Sequence, residues 1–344
     1  MRLSTMFLEL SMKILLYILV MTMAFSIKKE VKYVRHSEDF SFNVLTPLHH
    51  ELHLSLKPGH VTHGKSIINF NIHTPTRYIS LFTSNYIIIN IVYLISNDND
   101  NIYKPFIYNI VIRDNVVLDF YQSFTYPETK LNVGSYTLQV YFSISETDVL
   151  WRTWNTDEEE NNKFIATLFQ SSDILPVLFP CFQTYEFVTL SITVEHDKRY
   201  RVLSNMPIKT QSISNDTMLT LFDNFPHTYI YEVTLILMAS DMTPSYPIGY
   251  DSYLSPYSII TIYTWSKSNL VPRMKFAQHI LGNVTKYLDD NWNITRRNPK
   301  IDCVVIPNFE DNITQTWGLQ LTMKHILPTL KNYIMPIKVR QCAQ

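Results

Sequence analysis

The chain has 344 residues, 46% of them hydrophobic, so it can bury a core and has room for two domains or one large one. A net charge of −1 excludes a global pull toward nucleic acid or an anionic membrane, and no nucleic-acid partner is expected. There are 22 Tyr, 19 Phe and only 6 Gly, where average usage would give roughly 24 Gly, and this aromatic bias favours strands.

At the start, Lys13 precedes an apolar run over 14–25, and Ala24-Phe25-Ser26 forms a small-x-small cleavage pattern. A run this short suits a signal peptide over 1–26 and falls short of the ~20 residues that span a bilayer. The alternative is a short uncleaved membrane anchor; Met12 is a second candidate start. The expectation is an extracellular, secreted protein. Four N-x-S/T sequons at Asn215, Asn283, Asn293 and Asn312 agree with it as candidate glycosylation sites. Cys181, Cys303 and Cys342 permit at most one internal disulfide and show no metal-type pairing.

From about 40 to 245 the sequence reads as strand after strand. Among them are "ELHLSL", "KSIINFNIHT", "YIIINIVYLI", "NIVIRDNVVLDF", "SYTLQVYFSIS", "FVTLSITVEHD" and "IYEVTLILMAS", with breakers such as "SNDNDN" and "NVGS" between several. Many short strands with turns indicate an antiparallel sandwich. The acidic run "TDEEENN" at 156–162 reads as a solvated loop. "SDMTPSYPIGYDSYLSPYS" at 240–258 reads as a Pro- and Tyr-rich linker. "IITIYTW" is a further strand. In "VPRMKFAQHILGNVTKYLDDNW" the residues Met274, Ala277, Leu281, Val284 and Leu288 recur at helical spacing, with Pro272 near the start. "KIDCVVIPNF" reads as a buried strand, and the tail beyond it has no clean period.

The stretch "LHHELHLSLKP" at 48–58 invites a zinc reading, because H-E-x-x-H on a helix places two imidazoles on one face. Glu51 follows His50, but the residue four after His50 is Leu54. Pro47 and the "HLHL" alternation favour a strand, with His50, Leu52, Leu54 and Leu56 on one face and His49, Glu51, His53 and Ser55 on the other. His49 and His53 are then roughly 13 Å apart, too far to share an ion bound at about 2 Å. The structural reading is preferred.

Three stretches in the right order resemble the zinc aminopeptidases of the aminopeptidase N type. "PLHHELHLSLKP" is similar to the family's first strand, P-x-H-Y-D-L-x-L. The segment 164–208 resembles its T-Q-x-E-x-x-D-A-R-x-x-F-P-C-F-D-E-P block followed by L-S-N-M-P. "PKIDCVVIPNFEDNITQTWGL" at 299–319 is similar to P-K-x-D-x-V-x-x-P-x-F-x-x-G-A-M-E-N-W-G-L. The resemblance covers most of 40–320. It implies a mainly β fold: a saddle-like antiparallel β-sandwich over 27–245, then the start of a thermolysin-like β-lobe with one helix over 246–320, truncated, and a divergent tail over 321–344.

The activity implied by the resemblance needs zinc held by H-E-x-x-H plus a later Glu, the motif's own Glu serving as general base. No H-E-x-x-H follows Leu319; His325 is the only histidine in the last 25 residues. No metal site, no cofactor and no catalytic residue are therefore expected in this chain. In the family two carboxylates grip the substrate's free amino terminus; the matching positions here are Gln170 and Gln315, which keep the length and lose the charge. The family's glycine in G-A-M-E-N falls on Asn312, where a glycan would stand in the substrate cleft. Leu168 replaces the T-Q glutamine, and Gln183-Thr184-Tyr185 replaces D-E-P. The leading expectation is a secreted, catalytically inactive relative that binds peptide amino termini weakly or a protein surface. One alternative is the front part of an active zinc aminopeptidase, from mis-splicing or a mis-drawn gene; another is a ligand-free structural sandwich. An exposed sheet face is further expected to support self-association or a partner through 255–335.

Overall fold

The computed structural model describes residues 44–56, 62–83, 86–110, 115–120, 130–144, 152–155, 163–167, 179–182, 186–239, 242–251, 259–268, 270–291, 299–306 and 313–323. The expected signal peptide over 1–26 and the acidic run 156–162 lie outside the described residues.

Alternation does what the sequence foretells in β1 (Leu45–Leu56). His50, Leu52, Leu54 and Leu56 are buried, while His49, Glu51, His53 and Ser55 face outward, half-buried or exposed. Pro47 has no N–H to give to a ladder, and the register with β2 (Thr62–Ile72) shifts between Pro47 and His49. These strands sit at the centre of a nine-stranded sheet with β4 (Ile87–Ser96), β5 (Ile102–Tyr103), β8 (Gly134–Ile144), β11 (Phe187–Asp197), β13 (Ile208–Ser214) and β14 (Thr217–Phe222). Its order is β13-β14-β11-β1-β2-β8-β4-β5, and β15 (Phe225–Tyr229) pairs with β11.

Two smaller sheets cover the inner face. One is β3 (Tyr78–Phe82), β7 (Asn115–Asp119) and β6 (Phe106–Ile110), in the order β3-β7-β6. Its Ile79, Leu81, Val116 and Leu118 pack with Ile68, Phe70, Leu94 and Leu138 of the large sheet. The other has the order β12-β16-β10-β9, from β9 (Arg152–Asn155), β10 (Lys163–Thr167), β12 (Tyr200–Ser204) and β16 (Leu235–Ala239). Val202, Leu235 and Leu237 join Leu52, Leu54, Leu56, Leu190 and Ile192 in a second core cluster. Each such side chain contributes roughly 1.5–3 kcal/mol on full burial. The result is a sandwich, with one departure from the expected pairing: β1 and β11 run parallel, because the chain passes through both smaller sheets before returning beside β1.

A six-stranded sheet follows. Its path is β17-β19-β20-β22-β21, from β17 (Met242–Pro244), β19 (Ile259–Lys267), β20 (Lys300–Ile306), β21 (Ile313–Thr316) and β22 (Leu319–Met323), with β18 (Ile248–Asp251) paired to β19. The expectation of a linker over 240–258 needs correction, since β17 and β18 both lie in it; Pro244 is tolerated because β17 is an edge strand. Likewise "NIVIRDNVVLDF" is not one strand: its ends contribute to β6 and β7, which pair antiparallel. The amphipathic pattern is realised as α1 (Val271–Asn291). Buried Gln278 on α1 donates from Nε2 to Tyr246 O (2.8 Å) and Ile262 O (2.9 Å), fixing the helix to the sheet.

Candidate functional site

The histidine stretch resolves into two structural pairs. His50 is fully buried, and its Nε2 lies 2.8 Å from Glu186 Oε2, joining β1 to the residue that leads into β11. On the opposite face, His49 Nδ1 lies 2.7 Å from Thr189 Oγ1 and Nε2 lies 3.0 Å from Ser191 Oγ. Partial burial lowers the His49 pKa, with Glu51 raising it and His50 lowering it by smaller amounts. Both His49 ring nitrogens are thus occupied by hydroxyls. No group of three or more His, Cys, Asp or Glu that could hold a metal occurs among the described residues. These residues do not fit a zinc site.

Of the matching motifs, the L-S-N-M-P turn and the 299–319 stretch instead meet at a seam, while F-P-C-F is held within the sandwich. In the F-P-C-F stretch, Phe179, Cys181 and Phe182 are buried. Cys181 exchanges backbone hydrogen bonds with Phe82 (2.7 and 3.2 Å), which staples this stretch to the end of β3. In the L-S-N-M-P turn, Asn205 is fully buried and uses both ends of its amide. Its Oδ1 accepts from Thr234 N (2.7 Å), and its Nδ2 donates to Glu232 O (3.0 Å) and Trp317 O (2.7 Å). Trp317 belongs to the W-G-L motif, so one side chain bridges the sandwich and the six-stranded sheet.

A second bridge runs beside it. Lys300 Nζ donates to Ser204 O (2.7 Å) and pairs with Asp302, both side chains being buried. Asp302 also accepts from Trp265 Nε1 (2.8 Å), and its backbone N–H donates to Gly318 O (3.0 Å). Next to Asp302 in the strand is Cys303, whose thiol burial pushes up to about 12, with Asp302 adding to the shift; it is an inert core residue, as expected of a thiol in apolar surroundings. Sequence reasoning read "KIDCVVIPNF" as a buried strand, which β20 is, without foreseeing that Lys300 and Asp302 pair within it. Two charges spaced by two in an otherwise apolar strand, "KIDCVVI", would have signalled a paired inward face. Glu186 carried no sequence signal of its own.

Of the amine-anchor positions, Gln315 lies on β21, the edge strand of its sheet, opposite Gln320 of β22. Gln170 lies outside the described residues. Asn215 is exposed in the two-residue turn between β13 and β14, at φ 54°, and Asn283 is exposed on α1. Asn293 and Asn312 lie outside the described residues.

Residues 46–230 match the peptidase M1 N-terminal domain. The chain is similar to aminopeptidase Q of Homo sapiens, 28% identical over 200 residues, 55% of this chain and 19% of that protein. Aminopeptidase Q of Mus musculus is 31% identical over 217 residues, 59% of this chain and 36% of that protein. Glutamyl aminopeptidase of Homo sapiens is 25% identical over 285 residues, 80% of this chain and 28% of that protein. The chain thus spans between 19% and 36% of the length of these curated relatives. With its first strand, its F-P-C-F and L-S-N-M-P stretches and more than half of its length inside that match, the chain belongs to the M1 peptidase family, through that family's N-terminal domain.

Proposed function

We propose that this chain is a secreted, non-hydrolysing relative of the M1 aminopeptidases that engages peptide amino termini weakly, or a protein surface, without cleaving them. One observation carries the reading: the motif residues that match the family sit in buried hydrogen-bonded seams (Asn205, Lys300, Asp302), whereas the anchor positions hold the amides Gln170 and Gln315. A hydrogen bond to a charged group is worth about 1.5–3 kcal/mol against ~1 for a neutral one, so an amide holds an ammonium group less tightly than a carboxylate. The 344 residues also contain no H-E-x-x-H through which zinc could activate water. A protein partner or second copy engaging 255–335, the segment of β19, α1 and β20–β22, belongs to the same proposal.

Incubating purified, zinc-supplemented protein with acidic, basic and neutral aminoacyl chromogenic substrates should give no turnover above blank. Turnover abolished by a chelator would refute the reading. Peptides with free amino termini should bind more tightly than acetylated ones in calorimetry; equal failure of both would favour a sandwich with no ligand.

A second reading is favoured by the small share of each relative that the chain spans: it is the front part of a longer zinc aminopeptidase. Transcript sequencing past codon 319 distinguishes the two, an in-frame H-E-x-x-H establishing the second. Gln170 and Gln315 would then still predict a weakened or altered exopeptidase.

A further inference from the structure

The nine-stranded sheet ends in β13, and every one of its seven residues is exposed, Ile213 by 66% and Ile208 by 41%. No other edge strand among the described residues is as long. Native edges are usually blunted by proline, by several lysines, by bulges or by brevity. β13, "IKTQSIS", holds no proline and a single lysine, and its one register irregularity lies at its start, between Ile208 and Thr210. Its pairing with β14 joins Ser214 to Thr217, Ser212 to Leu219 and Thr210 to Leu221. In a hairpin with a two-residue turn these are the pairs that exchange hydrogen bonds, so the N–H and C=O groups of Gln211 and Ile213 point off the sheet. The half of β13 nearest the turn is thus the part most open to another strand.

The turn itself is built from Asn215-Asp216-Thr217, an N-x-T sequon. Asp216 is turned away from the edge: its carboxylate pairs with Lys198 Nζ (2.6 Å), and its carbonyl accepts from Lys198 N (3.0 Å). Thr217 Oγ1 donates to Ser214 O (2.9 Å), which closes the turn. Asn215 is exposed at φ 54°, in the left-handed region that asparagine tolerates better than most residues. Measured along the strand, Ile213 lies roughly 7 Å from it and Gln211 roughly 13 Å. The exposed sequon on α1, at Asn283, has no such neighbour, because a helix satisfies its backbone groups within itself.

We propose that Asn215 carries an N-linked glycan whose role is to guard the open half of β13, in place of the prolines and lysines that blunt edges elsewhere. A bulky, hydrated oligosaccharide rooted at the turn keeps a second strand from Gln211 and Ile213, and its hydroxyls can meet their N–H and C=O groups. The bond made runs from Asn215 Nδ2 to the anomeric carbon of the first sugar. The bond broken joins that carbon to the diphosphate of a lipid-linked oligosaccharide donor, which leaves as the anion while Nδ2 gives up a proton. The host's transferase supplies donor and catalysis, and no residue of this chain takes part. The proposal rests on the secreted reading above, since a sequon is filled only on the secretory route. It is independent of zinc, of peptide binding and of association through 255–335.

Expression of the full chain in secreting eukaryotic cells, with peptide mass mapping and sedimentation velocity, tests it. Mapping should find the Asn215 peptide glycosylated. N215G removes the sequon, and glycine adopts the left-handed turn without strain. It should self-associate at least roughly tenfold more tightly than the parent chain. Adding I213K, which places a charge on the bare edge, should return it to the parent's behaviour. N283Q, which removes the sequon on α1, should leave association unchanged. An unmodified Asn215 in secreted chain, or an N215G chain that behaves as the parent, overturns the proposal and leaves the secreted reading standing. Association of N215G that ignores I213K, or that N283Q matches, shows a general loss of solubility and overturns it too. Retention of the chain inside the cell with no glycan at all overturns the secreted reading and this proposal together.

Discussion

His196 shows how one side chain ties the fold to pH. Its Nδ1 lies 3.0 Å from Asp197 O and its Nε2 3.0 Å from Thr220 Oγ1. A carbonyl only accepts, so Nδ1 carries the proton and Nε2 accepts from the threonine; this is the neutral tautomer. Burial lowers the His196 pKa, with the Asp197 carbonyl and charge opposing. His49 shifts the same way, again chiefly by burial. The unfolded chain therefore takes up protons at these sites below about pH 6.5 while the native chain resists, so stability is full above that pH and falls as pH drops through it. The thermal midpoint should decline on acidification from pH 7.5 to 5.5, and H196Q should flatten part of the decline. An identical slope in H196Q would show that His196 is not responsible.

Among the elements, β2 illustrates a close approach that composition alone conceals. A Cβ added at Gly64 would lie 2.2 Å from Phe142 Cζ, and Phe142 is buried in the core shared by both strands. The G64A variant should lose about 1–3 kcal/mol in urea unfolding, and F142L in the same background should recover much of it. Additive losses would mean that the two sites do not meet. The same scale shows what the sequence carried. Period-two alternation placed the leucines of β1 on the inner face, and helical spacing placed α1, because both patterns are set by the neighbours along one segment. Pairing across segments has no such local trace: neither the parallel junction of β1 with β11 nor the short strands in 240–258 could be read from spacing. The site divides in the same way. Its residue types were legible from the motifs at Lys300, Asp302, Asn205 and Trp317, but their meeting at one seam depends on contacts as far apart as 112 residues.

At the scale of the molecule, that seam makes the sandwich and the six-stranded sheet depend on each other. Removing the Asn205 amide takes one hydrogen bond from each of three backbone groups, Thr234 N, Glu232 O and Trp317 O, in buried or half-buried positions. N205A should therefore cost about 2–5 kcal/mol. Tryptophan fluorescence should report the six-stranded sheet unfolding before the far-ultraviolet signal of the whole chain. A single transition with an unmoved midpoint would place the coupling elsewhere, with Lys300 and Asp302 as the next candidates. A sandwich bound in this way to the opening of a second sheet is a scaffold, and the family's chemistry is a separate matter carried by other residues.

The parallel junction of β1 with β11 sets an order of events during synthesis. Thr189, the partner of His49, lies 140 residues further along the chain. The central strand of the large sheet thus emerges from the ribosome some 140 residues ahead of its partner and must wait for it with one edge unmated. Contacts of such long range are slow to close. During that interval the leucine face of β1 also lacks its cover, since Val202, Leu235 and Leu237 are made later still than β11.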